Sequence, residues 1–352
     1  MLLISYIIKN NNTWETNLDM AKKTTSPTIS QAMATYLDSV AMSRSPNTAR
    51  SYSNALRFFS LVLEVYHLSP AETPIKDLTE DAVTWLATAL KDFTAATEQL
   101  YLTAARGFYE FLAAERLARP NLPRLNLLIR QRSRKPGQRL PQFPREQIED
   151  IIQYAINIAN APVETEAERL RNLRDRAFIL TLADTGLRVH EACKLRRGDL
   201  DWNEGRARII GKGDREAIVR FSQRSLVSLR DYLSARQKLD GASGRAIPSL
   251  PLFARHDKGA GKKVKPITTA TGRNIISQRV QEALGADAVG TITPHSFRHY
   301  FVTTVLRASG NLKLAQELAR HRSISVTQRY AHLSDDELDR GYWEIFEDKS
   351  SG

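Results

Sequence analysis

One segment, basic and rich in proline, limits how this chain can fold more than any other feature. Between Arg116 and Arg139 there are eight basic residues, no acidic residue, and prolines at positions 120, 123 and 136. Such a segment packs poorly into a core but can connect two domains, so residues 119–142 are predicted to be an interdomain linker. The length of 352 residues suits two domains of ordinary size, one on each side of it.

The part before the linker, residues 26–118, is predicted to be helical. Ser45 suits a helix N-cap and Pro46 the first helical position, and further helices are expected from about Thr79 and Ala95. After Pro46, apolar residues recur three and four apart, at Tyr52, Leu56, Phe59, Leu63 and Tyr66. This spacing favours a buried core over base stacking. Residues 1–25 are expected to be a disordered leader, with Met20 as an alternative start.

The part after the linker, residues 143–352, is predicted to be mainly helical with a small β-sheet. Two β-rich runs, residues 207–210 and 217–221, flank a glycine-containing turn and predict a hairpin. Helices are expected before it, ending at Thr185-Gly186, and after it, from Gln223 to Leu239. Residues 241–270 are expected to form a loop before helices return. The predicted fold class is therefore mainly α with a small β-sheet, a helical domain followed by a mixed α/β domain.

Charge and cysteine content narrow the partners and the compartment. Fifty-one Lys and Arg against 39 Asp and Glu give a net charge of +12, which favours a polyanionic partner without separating DNA from RNA or an anionic membrane. The single cysteine, Cys193, excludes an intramolecular disulfide. No apolar stretch approaches the ~20 residues of a membrane span. We expect a soluble, cytoplasmic protein.

Two short motifs carry cations that could reach a common site. Arg188 follows Gly186, a residue that can adopt a left-handed conformation, so its guanidinium could project from a turn anchored by Leu187 and Val189. Lys212 occupies the tip of the predicted hairpin. Taken alone, Arg188 could be an ordinary surface residue, and the Lys212 turn could be an ordinary solvated hairpin.

A third segment adds two histidines, an arginine and a tyrosine. His295 and Arg298 share one face of a helix that is predicted to begin at Pro294, and His321 and Tyr330 follow. His295 and His299 have zinc-like spacing, but no third ligand is evident, so no metal site is predicted.

Together these motifs resemble the tyrosine recombinase, or phage integrase, family. The likeness rests on Thr-Gly-Leu-Arg with Glu191 three residues beyond Arg188, the β-turn lysine, His-x-x-Arg-His, and a histidine nine residues before Tyr330. The pattern Ser45-x-x-Thr48 with its following apolar stripe resembles that family's core-binding domain. The resemblance implies a two-domain, Xer-like layout, with a SAM-like core-binding domain at 26–118 and a catalytic domain at 143–352.

The resemblance also assigns roles. Tyr330 would attack a DNA phosphodiester and form a 3′-phosphotyrosyl ester, with no metal, ATP or other cofactor. Arg188 and Arg298 would bind the nonbridging oxygens, a task that suits guanidinium groups. His295 would accept the tyrosine proton, Lys212 would protonate the departing 5′ oxygen, and His321 would hydrogen-bond the phosphate.

Double-stranded DNA at recombination sites is the expected partner. The basic segment is either a solvated loop or a segment that lies along the DNA backbone. If the protein is an enzyme that acts on DNA, the second interpretation is favoured. The residues predicted to contact DNA are Ser45, Thr48, Arg130, Arg132, Arg134 and Lys135.

The C-terminus predicts an assembly. Ser334 and Glu337 form a possible capping box before an apolar stripe at Leu338, Tyr342, Ile345 and Phe346. Such a helix either packs on its own domain or, by resemblance, docks on the next protomer of a homotetramer on two DNA sites. Because the expected partner is DNA, we expect the protein to be associated with the nucleoid.

Two further alternatives and one departure remain open. A type IB topoisomerase or a telomere resolvase would share the tyrosine chemistry, and a non-catalytic DNA-binding regulator could use the same scaffold. Arg320 stands immediately before His321, where many relatives have glycine. Its side chain could contact DNA or point to solvent.

Overall fold

The polypeptide forms two units, residues 1–139 and 140–352, that each bury a core of their own. The computed structural model describes residues 26–134, 144–211, 216–257, 259, 263–321, 323, 324 and 327. The predicted leader and the predicted C-terminal helix lie outside these residues. None of the described helices is long and apolar enough to cross a membrane.

The described part of the first unit is helical, as predicted. Its helices are α1 (Ile29–Ser43), α2 (Pro46–Val65), α3 (Asp81–Ala89), α4 (Ala95–Ala114) and α5 (Leu122–Arg132). At the start of α2 the Ser45 hydroxyl accepts the backbone N–H of Thr48 at 3.3 Å, which confirms the predicted N-cap. Leu56, Phe59 and Leu63 are buried on one face of α2, so the apolar stripe forms core as expected.

Helix α5 corrects the prediction that the linker begins at residue 119. Asn121 caps this helix, with its side-chain oxygen accepting the backbone N–H of Arg124 at 3.0 Å, and a proline occupies the first turn, where its missing N–H costs nothing. Leu125 is fully buried in the core of the first unit, with Leu122 and Ile129 packed beside it. Pro123 therefore lies in the first turn of a helix, and Arg124, Arg130 and Arg132 lie on this helix, which is docked by its apolar face.

A buried carboxylate fastens the end of this helix. Glu98 on α4 is fully buried and accepts three hydrogen bonds: the backbone N–H of Arg134 at 2.8 Å, the Arg134 Nε at 2.5 Å and the Lys91 ammonium at 3.1 Å. Burial raises the pKa of Glu98, but these bonds outweigh it and the pKa is lowered. Residues 133 and 134 thus belong to the first unit.

The second unit surrounds a central helix with helices and a three-stranded sheet. Its elements are α6 (Arg145–Asn160), α7 (Glu166–Thr185), α8 (Val189–Lys194), β1 (Leu200–Asp201), β2 (Arg206–Ile210), β3 (Glu216–Arg220), α9 (Gln223–Ala235), α10 (Gln237–Gly241), α11 (Thr269–Leu284), α12 (Pro294–Ser309) and α13 (Leu312–Ala319). Helix α7 packs against α6, α9 and α12 and is buried on nearly every side from Leu170 to Thr185. It delivers the Thr185-Gly186 turn to one end of the unit.

The predicted hairpin is confirmed. Strands β2 and β3 pair antiparallel, with Arg206 opposite Arg220 and Ile210 opposite Glu216. Strand β1, which pairs with β2, was not predicted because two residues carry no readable alternation. The fold class is thus mainly α with a small sheet, as the sequence predicts.

Candidate active site

The turn between α7 and α8 places Arg188. Gly186 ends α7 in the left-handed conformation, with φ +60°, and a Cβ at this position would collide with the Phe301 ring. Leu187 is fully buried and its N–H bonds the Thr185 hydroxyl at 3.2 Å. Leu187 and Val189, which packs on the core, therefore anchor the turn as predicted, and Arg188 leaves it with 41% of its side chain exposed.

Glu191 holds Arg188 in place. Its Oε2 accepts the Arg188 backbone N–H and its Oε1 accepts Arg188 Nη1, both at 2.9 Å. Burial raises the pKa of this carboxyl, but the hydrogen bonds from Arg188 and the positive charges of Arg320 and Arg188 outweigh it, and the pKa is lowered. Glu191 is thus a buried anion that orients a half-exposed guanidinium.

Arg298 is the second arginine of the site and is almost fully buried, at 2% exposure. Helix α12 begins at Pro294 as predicted, with Arg298 in its second turn. Nη1 of Arg298 donates to the Gly186 carbonyl, and Nη2 donates to the Ala319 carbonyl at the end of α13. One side chain therefore joins the Arg188 turn to the segment that leads into His321.

Arg188, His295 and Arg298 line one open cleft of about 610 Å³, and Arg273, Asn274 and Ser277 of α11 also line it. The structure thus brings together three of the six predicted catalytic residues around a cavity. The cleft is open enough for a backbone phosphate to enter.

Three histidines near Arg298 share a depressed proton affinity. Burial and the Arg298 and Arg188 charges lower the pKa of His295, and burial, His295 and Arg298 lower that of His299 to about 4. The His295 and His299 rings meet edge to face, with centroids 4.3 Å apart. His299 therefore packs against His295, in line with a supporting role.

His321 lies at the end of α13. Its Nδ1 is 2.9 Å from the hydroxyl of Thr327, a buried residue, and its backbone N–H donates to the Gln316 carbonyl at 3.0 Å. Burial and the charges of Arg298, Arg188, His295 and His299 lower its pKa to about 4, so His321 is neutral at pH 7. Arg298, His295 and His321 thus form one electrostatically coupled group.

The remaining two predicted catalytic residues, Lys212 and Tyr330, lie outside the described residues. Lys212 follows Gly211, the residue after β2. Tyr330 comes three residues after Thr327, which contacts His321. Their placement in the site stays a prediction.

The residues predicted to contact DNA lie in the first unit, apart from Lys135, which is outside the described residues. Ser45 and Arg130 are exposed, and Thr48 and Arg132 are partly so. The Arg134 guanidinium bonds Glu98 and the carbonyls of Leu90 and Phe93. These bonds hold the Arg134 guanidinium against the first unit, while 40% of its side chain stays exposed.

Sequence reasoning missed one member of the site and left another open. Glu191 was noticed as part of a motif but not as the residue that orients Arg188. Arg320 does not point to solvent, since its side chain is only 13% exposed and reaches Glu191 at 3.3 Å. Its position beside His321 was the available signal.

Family models cover both units. The model described as "Phage integrase family" matches residues 142–337, and the model described as "Phage integrase, N-terminal SAM-like domain" matches residues 34–116. The "Tyrosine recombinase XerC" of Pelobacter propionicus is 31% identical over 299 residues, covering 84% of this chain and 87% of the relative. That of Treponema denticola is 29% identical over 298 residues, covering 84% and 91%.

Solved structures share the fold. A XerH site-specific recombinase bound to palindromic difH substrate superposes with a TM-score of 0.60 at 16% identity, covering 89% of this chain and 94% of that one. The Tn1549 transposon integrase in complex with transposon right end DNA gives 0.62 at 18% identity, covering 91% and 99%.

The chain therefore belongs to the phage integrase family. It is a site-specific tyrosine recombinase, an enzyme that cleaves and rejoins DNA, as the sequence predicts. The comparisons do not favour the topoisomerase, telomere-resolvase or regulator alternatives.

Proposed function

We propose that Tyr330 is the nucleophile and that Arg188 and Arg298 bind the scissile phosphate. The observation that carries this proposal is that Arg188, from the turn after α7, and Arg298, from α12, line one open cleft, with Arg298 bonded to the Gly186 carbonyl of that turn. Attack on a phosphodiester builds negative charge on the nonbridging oxygens, and guanidinium groups bind such oxygens in pairs. Preorganised donors of this kind lower the barrier because they need not reorient during the reaction.

The proton transfers are assigned to His295 and Lys212. A phenol with a pKa of about 10 is a weak nucleophile at pH 7 and needs a proton acceptor. His295 lies in the cleft, and burial together with Arg298 and Arg188 lowers its pKa, so at neutral pH its ring is available to accept that proton. Lys212 then protonates the departing 5′ oxygen, and His321 donates a hydrogen bond to the phosphate.

The bond energy is retained in this scheme. The tyrosyl oxygen replaces the 5′ oxygen on phosphorus, so one phosphoester bond forms as one breaks. A second DNA 5′ hydroxyl can reverse the step and release Tyr330, and neither ATP nor a metal ion is needed.

Loss of the Tyr330 hydroxyl tests the proposal. DNA recovered with the protein from its native genomic context supplies the duplex, nicked beside the scissile bond so that the cleaved product escapes. We expect the wild type to accumulate a covalent protein–DNA adduct on a denaturing gel and Tyr330→Phe to form none. The matched control is Tyr154→Phe, which removes a hydroxyl that bonds Glu282 on α11, away from the cleft, and should retain adduct formation. The proposal fails if neither wild type nor control forms an adduct, or if Tyr330→Phe still does.

The assembly and location are part of the same proposal. The two solved relatives named above are described as bound to DNA, which supports double-stranded recombination sites as the partner of this chain. We propose a homotetramer on two such sites, with the helix predicted after Ser334 docking on the neighbouring protomer. The net charge of +12 supports a cytoplasmic, nucleoid-associated location.

A further inference from the structure

Arg320 stands in an unusual backbone conformation beside the active site. It ends helix α13 with φ +57° and ψ +44°, a left-handed geometry that favours glycine. Its side chain is nevertheless folded inward and only 13% exposed. A long cationic side chain held this way, in a conformation that disfavours any side chain, needs a compensating interaction.

Arg320 shares its hydrogen-bond acceptors with Arg188 and Arg298. Its Nη2 lies 3.3 Å from Oε2 of Glu191, the carboxylate that also accepts Arg188. The same nitrogen lies 3.5 Å from the Gly186 carbonyl, which also accepts Arg298. Arg320 is thus a third guanidinium at the point where Arg188 and Arg298 are anchored.

The rest of the Arg320 guanidinium has no partner within the described part of the chain. Its Nε and Nη1 are buried and make no hydrogen bond there. Buried donors are nearly always paired, and an unpaired charged donor is costly. Glu191 supplies one negative charge to two guanidiniums, so this corner carries surplus positive charge that an anion would balance.

We propose that Arg320 is a third arginine of the phosphate site, whose positive charge, held where Arg188 and Arg298 are anchored, stabilises the charge that grows on the scissile phosphate. This rests on the proposed function of the cleft. Arg320 keeps its proton throughout and forms no covalent bond, so its contribution is electrostatic. Because negative charge on the phosphate grows as Tyr330 attacks, this positive charge acts on the rate of cleavage.

The test removes the charge either from Arg320 or from the phosphate. We compare covalent adduct formation by wild type, Arg320→Gln and Arg320→Gly on two nicked duplexes, one with the natural phosphodiester and one with a neutral methylphosphonate at the scissile position. On the phosphodiester we expect both variants to be slower by about 10-fold, which corresponds to about 1.4 kcal/mol of transition-state stabilisation. On the methylphosphonate we expect most of that loss to vanish, because no ionised nonbridging oxygen remains for the Arg320 charge to stabilise.

Folding is controlled separately. Arg320→Gly places glycine where the backbone suits it, so it should fold even if Arg320→Gln does not. His67→Gly is the matched control, because His67 is exposed, lies in the first unit and has φ +61°. It should cleave both duplexes at the wild-type rate. Wild-type rates for both Arg320 variants on the phosphodiester, or equal losses on both duplexes, would overturn this role of the Arg320 charge.

A second measurement separates this proposal from the proposed function. Inorganic phosphate is titrated into the full chain while the arginine Nε–H resonances are followed by NMR, with Arg320 assigned by its loss in Arg320→Lys. A shifting Arg320 signal in a protein that forms no adduct would reject the recombination chemistry and retain the anion site. Adduct formation by Arg320→Gln at the wild-type rate would reject the role of Arg320 and retain the recombination chemistry. An unmoved signal in a protein that forms no adduct would reject both.

Discussion

At the residue scale, Gly186 does two things that no other amino acid could do there. Its left-handed φ of +60° ends α7, and the absence of a Cβ leaves room for the Phe301 ring. Its carbonyl then accepts Arg298 Nη1. The glycine of the Thr-Gly-Leu-Arg motif is therefore needed for the backbone as well as for the neighbouring ring.

Alanine at this position tests both requirements. We expect Gly186→Ala to lower the free energy of unfolding by about 2–4 kcal/mol, the sum of the left-handed penalty and the clash. Gly310→Ala is the control, since Gly310 has φ +61° and open space around it, and should cost only about 1–2 kcal/mol. Urea denaturation measures both. Equal losses would show that the Phe301 contact does not matter.

At the scale of elements, helix α12 gathers the histidines and Arg298. His295 and His299 lie one turn apart with their rings in contact, and Arg298 lies between them in sequence. Because neighbouring positive charge and burial both oppose protonation, the pKa values of His299 and His321 fall to about 4. Burial and the neighbouring arginines thus keep the His299 and His321 rings neutral at pH 7.

This arrangement predicts a pH dependence of stability. A histidine whose pKa is lowered by folding binds its proton first in the unfolded chain, so its favourable contribution holds above about pH 6.5 and is lost as pH falls toward 4. For His299 the slope is at most about 1.4 kcal/mol per pH unit. We expect denaturation at pH 7, 6 and 5 to show a smaller loss for His299→Gln than for wild type. His67→Gln, an exposed control in the other unit, should follow wild type, and identical slopes for all three would contradict the prediction.

Helix α5 shows what local pattern alone misjudges. Eight basic residues and three prolines predicted an extended linker, because both features disfavour packing when counted over a window. The structure places Leu122, Leu125 and Ile129 on one apolar face against the first unit. Three apolar residues at helical spacing were enough to dock residues 122–132, while Arg124 and Arg130 on the same helix stay exposed.

At the scale of the whole molecule, the proposed tetramer depends on the residues after Tyr330. Deleting residues 335–352 should leave binding to one DNA site largely unchanged and abolish pairing of two sites, because the docking helix is lost while the basic surface remains. Native gels of labelled duplexes measure pairing, and recombination yield measures its consequence.

The thermal stability of the DNA-free protein serves as the control for this deletion. A docking role predicts the same Tm for truncated and full-length protein. A lower Tm would show that the segment packs on its own unit, and an unchanged recombination yield would remove the exchange proposal.

The sequence alone determined those features of the fold that depend on a few neighbouring residues. The N-cap at Ser45, the hairpin of β2 and β3, the start of α12 at Pro294 and the left-handed Gly186 each follow from a few adjacent residues. The identity of the family also follows from sequence, because motif order and spacing survive without coordinates.

Only the tertiary structure decided how distant groups meet. It gave Arg298 the carbonyls of Gly186 and Ala319, placed Arg188 and Arg320 on one carboxylate, and turned Arg320 inward beside His321. These contacts join residues far apart in the chain, and their energies depend on burial and on the sum of nearby charges. No window of sequence contains that information, because a buried ion is stable or costly according to partners that only folding supplies.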